Sequence, residues 1–179
     1  MFLQFRFRLV TALAALLCAA SVFAQSPLFG PDGFAFTGEW SCNGHFTDKG
    51  VSHAHRVLYE GKTVSDGKWI DLAQKDLEPV GYDADFLMGY DRVKKEIVAF
   101  VGDNRGYALL TGQGWQAKSF TLTMTGQAGY EGFSQAKPLP ISRVTYKVSS
   151  ADAFTVTWEV HEDDKWNEDD FLACKRANA

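Results

Sequence analysis

Apolar and polar residues alternate along most of the chain after residue 34, and this two-residue period is typical of β-strands with one buried face. Gly, Asp, Asn and Ser turn signals separate the runs. No stretch keeps a 3.6-residue period, although 71–80 is compatible with a single helical turn. The pattern predicts ten strands, at about 35–47, 51–60, 66–73, 82–90, 95–102, 106–113, 118–126, 142–149, 153–161 and 165–176.

Short connections between successive strands favour an all-β, antiparallel up-and-down barrel, with a two-sheet sandwich as the alternative. The segment 126–141 is one longer loop within a single domain spanning 25–179.

Strand alternation also assigns faces, since successive side chains point to opposite sides of a sheet. Apolar faces that line a ten-stranded barrel leave an interior wide enough for a small ligand. The alternation predicts that six large apolar or aromatic side chains line this interior: Trp69, Phe86, Met88, Tyr107, Phe120 and Trp158.

Residues 1–24 have the pattern of a cleaved export signal. Arg6 and Arg8 precede an apolar stretch that is too short to span a membrane, and a small-ended site follows at Ala24. We therefore expect a periplasmic or secreted protein with no transmembrane segment in its mature chain. Cys18 suggests a lipoprotein anchor, but the bulky Leu17 before it argues against that processing.

Removal of this segment leaves two cysteines, Cys42 and Cys174, in an oxidising compartment where pairing is expected. A disulfide between them requires the first and last strands to be neighbours, as they are when a sheet closes on itself. Two buried free thiols are the alternative.

Composition and charge narrow the function classes. The chain is 46% apolar and 14% aromatic, which excludes collagen-like, coiled-coil and disordered classes. Without residues 1–24 it holds 16 basic and 22 acidic side chains, a net charge of −6, so we expect no nucleic-acid partner. The sequence carries no signal of oligomeric state.

Two short motifs carry a resemblance to a known family. Phe36-Thr37-Gly38-Glu39-Trp40 resembles the Gly-x-Trp signature that opens lipocalins and related calycins. Gly112-Gln113-Gly114-Trp115 and the final strand at 171–176 are similar to bacterial lipocalin-like domains of unknown function. The resemblance implies that Trp40 packs across the barrel floor beneath Arg176. Ten-stranded relatives such as fatty-acid-binding proteins and nitrobindins hold a lipid or a haem, so it also implies a pocket.

The histidines are the sharpest local signal for chemistry. His53 and His55 lie two residues apart in a predicted strand and therefore share a face with Tyr59. Two imidazoles on one face suit a zinc or copper ion, with His45 or Asp71 completing the site. Alternatively, His53 or His55 acts as a general base beside Tyr59, oriented by Asp85, in a cofactor-independent lyase or isomerase. In a third interpretation these side chains only provide hydrogen bonds at a pocket wall or rim.

The remaining sequence motifs give no further indication of a metal site or a catalytic activity. The acidic run at 161–170 lacks the ligand spacing of a calcium loop, so we expect a solvated hairpin turn. No nucleophile elbow, phosphate-binding loop, dinucleotide fingerprint or zincin motif occurs, and we expect no cofactor. The sequence predicts an exported barrel that binds a small hydrophobic or aromatic molecule in its lumen, whose polar end His53, His55 and Tyr59 orient. A filled barrel with a structural role is the remaining alternative.

Overall fold

The computed structural model describes residues 28–128 and 140–177, so the predicted export segment and Cys18 lie outside the described residues. A 3-10 helix at Pro31–Gly33 precedes ten β-strands. The strands are β1 Gly38–Asp48, β2 Val51–Val64, β3 Trp69–Glu78, β4 Val80–Asp91, β5 Glu96–Asp103, β6 Tyr107–Gln113, β7 Ser119–Ala128, β8 Ser142–Ser150, β9 Ala153–Glu162 and β10 Lys165–Arg176. The prediction of an all-β fold with ten strands is confirmed.

The ten strands form a closed antiparallel barrel in which each strand pairs with its neighbours in sequence. The first strand, β1, also pairs with the last strand, β10, which closes the sheet and removes its free edges. The predicted up-and-down barrel is therefore confirmed over the sandwich.

A disulfide joins the strands at this closure. Cys42 lies directly opposite Cys174 in the β1–β10 register, and the two sulfur atoms are bonded, which confirms the predicted pairing. The bridge spans a sequence separation of 132 residues. The chain-entropy model values a loop of that length at up to about 5 kcal/mol of stabilisation.

The floor of the barrel is filled by aromatic side chains. The segment before β1 folds under the barrel and buries Phe34 and Phe36 against Trp40 and Phe154, with ring centroids 4.8–5.6 Å apart. The Trp40 indole donates a hydrogen bond to the Phe36 carbonyl at 2.8 Å. The Arg176 guanidinium lies 4.3 Å from the Trp40 ring centroid, which is the contact that the resemblance implied. This end of the interior is a packed core.

The third strand differs most from its predicted bounds, lying at 69–78 rather than 66–73. Residues 65–67 adopt left-handed backbone conformations in a turn, and β3 begins only after it. Residues 71–78, where a helical turn was compatible with the sequence, belong to this strand.

Most of the acidic run folds as expected, into the β9–β10 hairpin, but Asp170 at its end points into the barrel against His55. Asp163 and Asp164 form the turn of this hairpin with positive φ angles of 51° and 59°, as a tight two-residue hairpin turn requires. Within residues 28–128 and 140–177, no helix is long and apolar enough to cross a membrane.

Candidate functional site

One end of the barrel, which we call the mouth, carries the β1–β2, β3–β4, β5–β6 and β9–β10 turns. It is opposite the aromatic floor. Some inward side chains near the mouth are only partly buried: Tyr82, Met124 and Trp158 pack there against the apolar core. The Tyr82 hydroxyl donates to Asp103 at 3.0 Å. The mouth therefore combines apolar surface with carboxylates and with access from solvent.

Below the mouth, His55 of β2 is held between two carboxylates. Its Nδ1 lies 2.9 Å from Asp170 of β10, and its Nε2 lies 3.0 Å from Asp76 of β3. His55 is only 5% exposed, and Asp76 is buried as well. Because carboxylates only accept hydrogen bonds, this geometry suits a doubly protonated imidazolium that donates from both nitrogens.

The cluster continues deeper into the barrel through two further side chains. Gln74 donates from its amide nitrogen to Asp76 at 2.8 Å, and its amide oxygen accepts a hydrogen bond from Tyr59 at 2.9 Å. We call these five side chains, Tyr59, Gln74, Asp76, His55 and Asp170, the His55 cluster. Each has a partner, as buried polar groups require.

The carboxylates set the charge of His55. Burial alone lowers the pKa of an imidazole, but the hydrogen bonds and negative charges of Asp170 and Asp76 outweigh it and raise the pKa of His55 to about 9. His55 is therefore a cation at neutral pH. The surrounding polar groups leave no unprotonated nitrogen to accept a proton or to bind a metal.

The mouth keeps an excess of negative charge around this cation. Desolvation and the negative charges of Asp170, Glu162 and Asp48 raise the pKa of Asp169 above its usual value. One imidazolium faces two carboxylates in the His55 cluster. Asp169, the residue before Asp170 in β10, is exposed and adds a further acidic group at this end of the barrel. A positive or hydrogen-bond-donating group is favoured at such a site.

The six predicted wall residues fall into three groups. Phe86, Met88 and Phe120 point inward and are almost completely buried in the packed core. Trp158 points inward at the mouth, where its ring centroid lies 6.3 Å from that of Phe86.

The other two predicted wall residues lie on the outer face of the barrel. Trp69 covers Gly89 there, while the adjacent Ile70 points inward. Tyr107 is exposed and stacks on Phe100, while the adjacent Ala108 points inward. In both strands the prediction differs from the structure by one residue of register, which moves a side chain to the opposite face.

The structure does not bring the three candidate metal ligands together. His45 lies on the outer face, 3.0 Å from Glu168, whereas His55 points inward. His53 is exposed near the mouth and stacks on Phe46. In the described ranges, no three His, Cys, Asp or Glu side chains converge in a way that would hold a metal ion.

The acids proposed to assist these histidines are also elsewhere. Asp71 pairs with Lys62 at 3.1 Å on the outer face, and Asp85 is exposed on the outer face of β4. Asp76 and Asp170 take the orienting position instead. An alternation signal for Asp170 exists, because it is two residues from Leu172 and four from Cys174, both of which point inward.

Comparison with known proteins supports the fold. No protein-family model matches the chain, and no curated protein matches its sequence. The chain is similar to the crystal structure of Rv2717c from M. tuberculosis, with a TM-score of 0.61 and 8% sequence identity over 89% of this chain and 99% of that one. At this identity the similarity supports the barrel fold alone.

Proposed function

We propose that this chain is an exported, lipocalin-like barrel of the calycin type that binds a small molecule with an apolar or aromatic body at its mouth. Cleavage after Ala24 would release the mature protein to the periplasm or the medium. The observation that carries the binding proposal is the His55 cluster, which places a buried cation and two carboxylates at the boundary between an apolar core and a partly exposed mouth.

Such a cluster is costly as a purely structural element. Replacing a buried ion pair by well-packed apolar residues is often neutral or stabilising, because desolvation offsets the attraction between the charges. The rest of the interior shows that this barrel is able to fill its core with apolar side chains. A role in ligand recognition accounts for charged groups at this depth.

The mouth supplies both parts of a small-ligand site. Met124, Trp158 and Tyr82 offer partly exposed apolar surface to the body of the ligand. Burial of roughly 100 Å² of apolar surface there contributes about 2.5 kcal/mol. Asp170 and Asp169 favour a polar end that donates hydrogen bonds, so an amine fits this site better than a carboxylate.

The geometry around the histidines argues against an acid–base or a metal-binding role. Both need a histidine nitrogen with a free lone pair, and both nitrogens of His55 face carboxylates. His53 stacks on Phe46, and in the described part of the chain no acid forms a hydrogen bond with it.

A pair of probes that differ only in the charge of the polar end tests the proposal. Titration with 1-naphthylmethylamine and with 1-naphthoic acid, followed by tryptophan fluorescence and by calorimetry, compares the same aromatic body with opposite charges. We expect the amine to bind at least about tenfold more tightly than the acid, since each factor of ten is 1.4 kcal/mol. Equal affinity of the two probes, or stronger binding of the acid, would contradict the proposed polarity of the site.

A matched pair of tryptophan variants locates the binding. Trp158→Ala removes apolar surface at the mouth and is expected to weaken the amine about tenfold. Trp166→Ala removes a tryptophan from the outer face of β10, where it contacts Arg143 and His161, and is expected to leave the affinity within about twofold. If both variants weaken binding equally, the mouth is not the site.

A further inference from the structure

A concave surface lies on the outside of the barrel, across strands β1–β5. This outer groove has a volume of about 930 Å³. Its lining comprises Leu58, Glu60, Ala73, Asp85, Leu87 and Phe100, together with neighbours on the same strands. These side chains project away from the interior, because they alternate with buried residues. The groove therefore lies on the outer face, although its lining also includes Tyr59 and Gln74 and reaches the mouth at Asp103.

The sheet register explains the groove. Ala73 lies opposite both Glu60 and Asp85 in neighbouring strands, and Asp85 lies opposite Gly102. The small residues Ala73 and Gly102 make a shallow floor, with longer side chains on either side. The row from β1 to β5 spans roughly 19 Å at the usual strand spacing.

Apolar side chains flank this floor and remain exposed. Leu58, Leu87 and Phe100 are 40%, 37% and 45% exposed. Phe100 lies directly opposite Leu87 on one side and Leu109 on the other, and it stacks on Tyr107. The result is a continuous apolar stripe over three adjacent strands, which is unusual for a sheet face with no partner.

Carboxylates outnumber cations on the same surface. Lys62 pairs with Asp71 and also interacts electrostatically with Glu60 and Asp85. Lys75 lies opposite Asp83. Glu39 lies directly opposite Glu60 across the β1–β2 pair, an arrangement that destabilises a sheet by like-charge repulsion. In the described part of the chain, the carboxylates of Glu39, Glu60, Asp83 and Asp85 form no ion pair. Lys75 is the one basic residue among the lining residues.

We propose that the outer groove is a docking surface for a basic, amphipathic segment of a partner protein, whose apolar side chains cover the stripe and whose lysine or arginine side chains face the carboxylates. Charge complementarity selects this occupant. A barrel without free edges offers no backbone pairing, so recognition depends on side chains and fits the groove-binding mode of an amphipathic segment.

The same charges argue against other occupants. A second copy of the chain carries a net charge of −6 after removal of residues 1–24 and an identical acidic surface, so it would be repelled. Nucleic acid and anionic lipid surfaces are disfavoured for the same reason. The length of the row also exceeds what a small metabolite would cover, whereas a helix of about 14 residues is roughly 20 Å long.

The test uses a fluorescein-labelled amphipathic peptide of about 14 leucine and lysine residues, titrated with the mature protein at low and at moderate salt. We expect saturable binding that weakens with salt, and at least about tenfold weaker binding of the matching leucine–glutamate peptide. Equal binding of the two peptides overturns the proposal.

Paired variants assign the binding to the groove. Glu60→Gln combined with Asp85→Asn, and separately Phe100→Ser, should each weaken the leucine–lysine peptide about five- to tenfold. The controls make the same changes elsewhere: Asp163→Asn with Asp164→Asn in the β9–β10 turn, and Val93→Ser in the exposed β4–β5 turn. We expect each control to stay within about twofold.

Three outcomes would overturn the proposal. In the first, groove and control variants weaken the peptide equally. In the second, sedimentation detects a dimer that Phe100→Ser dissociates, and the occupant is then a second copy. In the third, the groove variants weaken binding of 1-naphthylmethylamine as much as that of the peptide, so that the groove is a small-molecule site. A loss of binding of that amine in Trp158→Ala alone would concern the mouth and leave the groove unaffected.

Discussion

Burial removes water from the charged imidazole of His55, and two hydrogen bonds to carboxylates replace that water. The protonation state of His55 depends on the balance of these two effects. A lone buried imidazole would lose its proton, whereas this one keeps it because Asp76 and Asp170 face its two nitrogens. The residue is thus a fixed cation that orients its neighbours. The same environment that keeps His55 charged also removes it as a base near neutral pH.

The raised pKa of His55 makes stability depend on pH in the alkaline range. The folded pKa is about 9 and the unfolded value is 6.5, so the stabilisation is fully present below pH 6.5 and is lost as the pH rises through 9. The shift corresponds to a loss of about 3 kcal/mol in the free energy of unfolding. Urea denaturation at a series of pH values from 6 to 10 measures it.

The control is His55→Gln, which cannot titrate. It should be less stable than the wild type below pH 6.5, because two carboxylates lose their cation, and its stability should change less between pH 6.5 and 9. A parallel decline in both proteins would assign the pH dependence to other groups.

Two buried tyrosines should respond differently to loss of the hydroxyl group. The Tyr59 hydroxyl donates to Gln74, so Tyr59→Phe leaves a buried amide oxygen unpaired and should cost about 1–3 kcal/mol. The Tyr146 hydroxyl is buried and has no hydrogen-bond partner in the described part of the chain, so Tyr146→Phe should be neutral or slightly stabilising. Thermal and urea denaturation compare them. Equal losses would show that the Tyr59 bond is not specifically stabilising.

The strands could be predicted from the sequence because most of them alternate cleanly. The alternation pattern fails to predict the end of β3 and the residues that face inward there. The inward positions of β3 run from Ile70 and Leu72 to Gln74 and Asp76, so polar residues occupy the buried face and the pattern no longer indicates a strand. Trp69 has the opposite effect on the prediction, because it is apolar and was therefore predicted to face inward, whereas it lies on the outer face. The candidate site lies where these local rules fail, and its partners Asp76 and Gln74 were missed for that reason.

β6 and β7 approach each other closely at Gly112, which leaves no space for a side chain at that position. A Cβ atom at Gly112 would overlap the carbonyl oxygen of Thr121 in β7, whereas one at Gly114 would meet no neighbouring atom. Gly112→Ala should therefore separate β6 from β7 and lower the free energy of unfolding by about 1–3 kcal/mol. Gly114→Ala is the control and should change it by less than about 0.5 kcal/mol. Similar denaturation midpoints for the two variants would show that β6 and β7 adjust without loss.

The whole molecule divides into a packed floor and a polar mouth. Closure of β1 on β10, fixed by the Cys42–Cys174 bridge, brings Asp170 from the end of the chain to His55 near its start. The sequence supported this closure through its two cysteines. It did not indicate how much of the interior aromatic side chains would fill, because packing across a barrel depends on register and on the segment before β1. Trp158 and Met124 are only partly buried at the mouth, where we propose that a guest binds.

Native mass spectrometry of the protein, purified from the periplasm or medium to which we propose it is exported, is the decisive test of ligand binding. We expect a mature chain that retains one organic molecule of a few hundred daltons, consistent with the usual size of about 300–1,000 Å³ for small-molecule sites. This mass should disappear on denaturation and should be absent from Trp158→Ala prepared in the same way. Spectra that show only the bare mature chain, or a bound mass that Trp158→Ala retains in full, would contradict binding at the mouth.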